Sequence, residues 1–147
     1  MKAETIFQIC NSAAPVGWLL MIVTPRWNVT RRLVLSGLFP LILGLVYLTL
    51  IALYFGDSEG GFGSLQEVSK LFANPFALTA GWVHYLAFDM FIGAWEVKDS
   101  QRHGISHFAV IPCLVLTFML GPIGLLLYFI VRLIKTKKLL NDAEPFH

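Results

Sequence analysis

The sequence predicts an all-α integral membrane protein, one domain spanning 1–147 in which four transmembrane helices form a bundle, with a short amphipathic helix between spans two and three. Three observations carry that expectation. Of the 147 residues, 56% are hydrophobic and only 14% charged, where a soluble domain would carry about 25% charged residues; the mean hydropathy is +0.70. Apolar runs at about 6–23, 33–55, 76–95 and 108–134 are long enough, as helices, to cross a hydrocarbon core of roughly 30 Å. Lysine and arginine gather at the ends of these runs, as they do at membrane flanks. The net charge of +2 is too small and too scattered to hold nucleic acid.

The first run is the least hydrophobic. Gln8, Asn11, Ser12 and Pro15 share one face at helical spacing, and such a stripe belongs against protein or a cavity rather than lipid. No cleavage site follows this run and no Arg- and Ser-rich transit peptide precedes it, so it is expected to stay as a span, in a bacterial inner or thylakoid-type membrane rather than after plastid import. A short basic turn with Arg26, Arg31 and Arg32 makes spans one and two antiparallel neighbours. Asn28-Val29-Thr30 matches a glycosylation sequon, which only a eukaryotic secretory route would use. In the second run, Gly37, Pro40, Gly44 and Tyr47 form a small-residue stripe suited to close helix packing.

Composition breaks at 56–74. A Gly-rich stretch gives way to a short amphipathic helix over 64–72, with Leu65, Val68, Leu71 and Phe72 on one side and Gln66, Glu67 and Lys70 opposite. Asn74-Pro75 starts the third span, proline sitting well in a first turn. A polar connection over 97–106 leads to the fourth span. There Pro122 deprives the Phe118 carbonyl of its helical donor, so a kink is expected at Gly121-Pro122. Thr117, Gly121, Gly124 and Tyr128 share that span's interior face, and Arg132, Lys135, Lys137 and Lys138 close it, before a polar tail over 135–147. Four spans place both termini on one side. The basic residues then nearly balance: Arg26, Arg31, Arg32, Lys98 and Arg102 against Lys2, Lys70 and the four at the end of the last span, so orientation stays open.

The chemistry concentrates in the third run. Ionisable residues at that depth point to function, because each costs roughly 2.5–3.5 kcal/mol to bury unpaired. On a helical wheel Tyr85, Asp89 and Glu96 lie within about 40°, while His84 points about 140° away from Asp89. Asp89 reads as a buried general acid or as a brace bonded to Gln8 or Asn11. His84 reads as a general base, a metal ligand or an interhelical hydrogen-bond partner. Tyr85 suits a hydrogen-bonding strut, and Trp82 and Trp95 suit ligand stacking or the interface. His84, Asp89, Glu96, His103 and His107 could form a carboxylate–histidine metal set, but Gly104 interrupts the His103–His107 pair and no full ligand motif is present. Asp99 and Ser106 read more simply as helix caps. Cys10 and Cys113 read as buried small hydrophobes. No phosphate loop, nucleophile elbow, CxxC pair or haem motif occurs, and no cofactor is implied.

The block G-W-V-H-Y-L-A-F-D-M-F-I-G-A-W-E at 81–96, with G-I-S-H at 104–107 and P-C-L-V-L-T-F-M-L-G-P-I-G-L-L-L-Y at 112–128, resembles the abscisic-acid-deficient-4-like family of small membrane proteins. The likeness covers most of the chain. Ser106 stands where that family's pattern suggests proline, and His103 falls outside it. The plant members are associated with neoxanthin synthesis, so the resemblance implies a carotenoid-modifying enzyme that isomerises a violaxanthin-like 5,6-epoxide to an allenic alcohol by acid–base chemistry. It places His84, Asp89, Glu96, His107, Gly121 and Pro122 at motif positions. The expected roles are Asp89 as acid with Glu96 in reserve, His84 as base, and Tyr85, Trp82, Trp95, His107 and Tyr128 as substrate-binding residues. The expected partners are the membrane and a carotenoid or other lipid-like substrate, with a homo-oligomer left open. The alternative is a non-catalytic carotenoid- or lipid-binding membrane protein.

Overall fold

The computed structural model describes residues 2–137, and every regular element among them is helical. Helix α1 spans Ala3–Val23, and α2 is the short Asn28–Thr30, which runs through a π turn at Arg31–Leu35 towards α3, Leu38–Tyr54. Helix α4 is Leu65–Leu71, α5 is Pro75–Arg102, α6 is His107–Leu120 and α7 is Pro122–Thr136. Three rods are long and apolar enough to cross a membrane: Ala3–Val23, Asn28–Tyr54 and Pro75–Arg102.

Helix α5 is the central rod. Asn74 caps it, its Oδ1 accepting from the Phe76 N–H at 2.8 Å, with Pro75 in the first turn where a missing N–H costs nothing. It runs parallel to α1: Trp82 Nε1 donates to Asn11 Oδ1 at 3.0 Å, and further along Gly93 lies under the Trp18 indole. It runs antiparallel to α3, with Phe76 stacked on Tyr54 at 3.8 Å and His84 against Tyr47 at 5.5 Å. Gly17 and Gly93 allow the close approach, since Cβ atoms there would strike Met90 and Trp18. Met21, Val34, Val83, Met90, Val97 and Leu114 fill the seam between the rods. In helix α4, Ser64 accepts from the Glu67 N–H at 3.2 Å while Glu67 Oε2 accepts from Gly63, a capping box that fixes where the surface helix starts.

Four expectations need correction. The third span does not stop at 95. It continues to Arg102, so Glu96 and Asp99 lie on the helix and not in a connection. Asp99 is buried in an ion pair and caps nothing, and Ser106 precedes α6 without a side-chain cap bond. On α1, Gln8, Asn11 and Ser12 are exposed; Gln8 bonds to Glu4 and Asn11 to Trp82, so neither braces Asp89.

The fourth correction matters most. The run at 108–134 is not one span but two short helices folded against each other. At Gly121 the backbone takes φ +48° and ψ −99°, and the chain reverses. Pro122 fixes its own φ and offers no N–H to continue α6, and Gly121 reaches a positive φ that a side chain would resist. Gly124 then lets α7 close onto Thr117. Each arm, of 14 or 15 residues, is about 21–23 Å long, short of a hydrocarbon core of roughly 30 Å. The hairpin enters where α1 and α5 end. His107 Nε2 donates to the Ile22 carbonyl at 2.8 Å, and Arg132 reaches Asp99 at 2.9 Å. Its tip stops beside Asp89, midway along α5. The described end of α7 therefore lies on the side of Val23 and Arg102, opposite Ala3, where four full spans would have put it beside Ala3. Lys138 and the rest of the expected tail lie outside the described residues.

Candidate functional site

Because α5 runs on past Trp95, the residues Tyr85, Asp89, Glu96, Asp99 and His103 fall at spacings that keep them on one helical face. The α6–α7 hairpin covers the upper part of that face. Every polar group under it must find a partner in the hairpin or go without, and unpartnered groups cost more in an apolar setting than in water.

At the tip, the Phe118 carbonyl that Pro122 leaves without a helical donor accepts from the Tyr85 hydroxyl at 3.2 Å. That hydroxyl also lies next to the Asp89 carboxyl. Asp89 is half-buried. A Cβ on Gly121 would stand 3.0 Å from Asp89 Oδ1, so the carboxyl fills the space a side chain would take at the turn. Asp89 Oδ2 has no hydrogen-bond partner among the described residues.

Two turns on, Glu96 is fully buried. Its Oε1 accepts from the Thr117 hydroxyl of α6 at 2.9 Å, and its Oε2 is unpartnered among the described residues. At the base of the hairpin, Asp99 Oδ2 accepts from the Tyr128 hydroxyl at 2.6 Å and pairs with Arg132 Nε at 2.9 Å. His103 completes the cluster, its Nδ1 3.4 Å from Asp99 Oδ1 and its Nε2 3.2 Å from Arg132 Nη2. This buried charge pair clamps α7 to α5. Asp99 has a hydroxyl donor and a counter-charge, whereas Asp89 Oδ2 has no hydrogen-bond donor among the described residues.

The other expected site residues fall elsewhere. His84 lies on the opposite side of α5, exposed, between Tyr47 and Phe88, so it does not share a hollow with Asp89. Trp82 bonds to Asn11 on the open face beyond the hairpin tip, 5.4 Å from the Tyr85 ring. Trp95 packs on Tyr128 and Phe129 at the hairpin base, Tyr128 is buried, and His107 holds α6 to α1. His84, Asp89, Glu96, His103 and His107 thus do not gather into one ligand set, and no group of three metal-ligating side chains occurs among the described residues. Cys10 and Cys113 are buried free thiols.

Thr117, Asp99 and Arg132 were missed as site residues. Thr117 was visible only as an interior position. Asp99 would have joined the stripe had the helix been carried past Trp95. Arg132 follows Tyr128 by one turn, so both point at Asp99 once α7 is known to run parallel to α5.

Residues 5–128 match the family model described as ABA DEFICIENT 4-like, which takes in the whole stripe and the hairpin as far as Tyr128. The chain is also 24% identical over 141 residues to Protein ABA DEFICIENT 4, chloroplastic, of Arabidopsis thaliana. That alignment covers 90% of this chain and 62% of the relative, so the chain spans less than two thirds of the relative's length. No solved structure matches.

Proposed function

The chain belongs to the ABA DEFICIENT 4-like family, and from that premise we propose that it is a membrane-embedded carotenoid-modifying enzyme that isomerises a violaxanthin-like 5,6-epoxide to an allenic alcohol. The observation that carries the reading is Asp89, a half-buried carboxyl with an unpartnered oxygen, held at the tip of the hairpin midway along an apolar rod. A group left that way in hydrocarbon is costly to keep, which supports use over bracing.

The reaction conserves atoms and electrons. The bond between the epoxide oxygen and the ring carbon bearing the polyene breaks, and the oxygen, still held by the other ring carbon, takes a proton. The hydrogen on the next polyene carbon leaves as a proton, and its electron pair becomes the second double bond of the allene. Oxygen and departing hydrogen sit on neighbouring carbons. One carboxyl can therefore serve both, one oxygen donating as the ring opens and the other accepting from carbon, and it ends the cycle protonated as it began. That assignment to Asp89 needs no base from His84, which lies across the helix. Tyr85 holds the hairpin tip in place beside the carboxyl. Glu96 is sealed from any ligand and acts through Thr117 as a positioning residue. The Trp82 and Tyr85 rings offer an aromatic surface for the polyene on the open side.

The test is pigment analysis of a violaxanthin-containing host that expresses the chain or its Asp89→Asn variant. The wild type should yield allenic product, and the variant should lose it by about a hundredfold or more while accumulating normally in the membrane. Undiminished product from the variant would overturn the assignment. The second reading, a non-catalytic carotenoid or lipid binder, is supported by the clamp at Asp99, where part of the stripe joins one helix to another. Pigment that co-purifies unchanged after prolonged incubation would support it.

A further inference from the structure

The end of the bundle farthest from Ala3 carries a feature that the epoxide reading leaves unused. Between the α1–α2 connection and the α5–α6 connection lies an open cavity of about 930 Å³, with Val23, Arg26, Trp27, Gln101, Ser106 and Phe108 in its walls. The two sides are pinned together, because His107 at the start of α6 donates to the Ile22 carbonyl of α1 at 2.8 Å. The volume falls within the roughly 300–1,000 Å³ of ligand sites.

No carboxylate lines this cavity. Arg26 is exposed and makes no ion pair among the described residues, and the Gln101 and Ser106 side chains make no hydrogen bond there. A guanidinium beside an amide and a hydroxyl, with no acid competing, suits a phosphate. The surroundings reinforce that preference. Arg31, Arg32, Lys98, Arg102 and Lys135 are exposed on the same side, while the exposed Glu4, Glu59 and Glu67 lie at the opposite end of the rods. A zwitterionic lipid has the same phosphate, but its ammonium would have to enter the field of these cations.

The apolar walls decide between a lipid and a soluble anion. Trp27 is 54% exposed and Phe108 84% exposed, at the ends of spans where aromatic rings sit at headgroup level. A free phosphate would use the arginine and leave both rings bare, whereas an amphiphile uses all three. Basic pockets between membrane helices are suited to anionic headgroups for this reason.

We propose that this cavity seats the headgroup of an anionic phospholipid, with Arg26 paired to its phosphate, Gln101 and Ser106 donating to the remaining oxygens, and Trp27 and Phe108 flanking the start of its chains. The site stands apart from Asp89 and does not depend on the isomerase reading.

Fluorescence of the full chain in phosphatidylcholine vesicles tests it, with phosphatidylglycerol brominated near the glycerol as the probe. Bromine quenches a tryptophan it touches, and the difference between wild type and Trp27→Phe isolates Trp27. The brominated phosphatidylglycerol should quench Trp27 saturably, at a mole fraction at least about tenfold below that needed with phosphatidylcholine carrying the same chains, the worth of a charge-assisted hydrogen bond. Arg26→Gln should abolish this preference. Lys135→Gln, which removes the same charge away from the cavity, should cost at most about fivefold. Equal quenching by the two lipids, equal losses in the two variants, or displacement of the probe by glycerol phosphate in solution would each overturn the proposal. Should Arg26→Gln accumulate poorly, the two-lipid comparison on the wild type still decides.

Discussion

Two glycines inside helices should respond to the same substitution with opposite signs. Gly124, in α7, faces Thr117 of α6, and a Cβ there would run into the Thr117 backbone nitrogen and hydroxyl. A backbone atom cannot swing aside as a side chain can, so Gly124→Ala must pry the hairpin open. Overpacking of this kind costs about 1–3 kcal/mol. Opening also moves the Thr117 hydroxyl, the one hydrogen-bond donor to the fully buried Glu96 side chain among the described residues, and stranding that carboxyl adds about 1–3 kcal/mol. Alanine's better helix propensity returns about 1 kcal/mol. The net loss is then roughly 1–5 kcal/mol, and for a chain near this length each kcal/mol moves Tm by about 2–4 °C. Gly44, in α3, has nothing within 4 Å of its would-be Cβ, so Gly44→Ala should gain about 0.5–1 kcal/mol. Thermal unfolding of both variants in one detergent, followed by tryptophan fluorescence, reads the difference. A Gly124→Ala protein that melts with the wild type, or a Gly44→Ala protein that melts as early as Gly124→Ala, would refute the hairpin packing.

Breaking the Asp99–Arg132 clamp from one side, as Arg132→Met, should cost about 3–5 kcal/mol by leaving a buried carboxylate without its counter-charge, while Asp99→Leu combined with Arg132→Met should recover much of it. The same melting assay checks this, and simply additive losses would exclude a coupled pair. The hairpin also settles the charge balance that four full spans leave open. Arg26, Arg31, Arg32, Lys98, Arg102, Lys135 and Lys137 now share one side against Lys2 and Lys70 on the other, so the loop between α1 and α2 should face the cytoplasm. In a bacterial inner membrane, Lys70→Cys should react with an impermeant maleimide in intact spheroplasts and Lys135→Cys only after permeabilisation, the native thiols being buried; the reverse pattern would overturn the topology.

Much of this was legible because it is local. Asn74-Pro75 announces a helix start through nearest-neighbour hydrogen bonds, and the amphipathic pattern over 64–72 announces a surface helix; the structure places α5 and α4 there. The shared face of Tyr85, Asp89 and Glu96 follows from helical pitch alone. The vacancy at the Phe118 carbonyl could be read from Pro122, though not that Tyr85 would fill it, since that bond joins residues 33 apart in the chain. Other contacts lay out of reach for the same reason. Thr117 to Glu96 depends on how α6 packs against α5, and Tyr128 to Asp99 on the direction in which α7 runs, neither of which hydropathy encodes.

That direction turns on two residues. A proline in a membrane helix ordinarily produces a kink that neighbours repair, and Gly121-Pro122 alone fits that outcome. What tips it into reversal is Gly124, which lets the returning helix approach Thr117 closely, together with Asp99, which gives Tyr128 and Arg132 a buried partner only if α7 turns back. The consequence reaches the chemistry. A full fourth span would have continued along the α1–α5 seam and covered Asn11 and Trp82. A half-depth hairpin stops at Asp89 and leaves that face open, with both residues exposed just beyond the tip. The same turn that buries Glu96 therefore leaves Asp89 half-buried beside the hairpin tip, at the edge of the face that the hairpin does not cover.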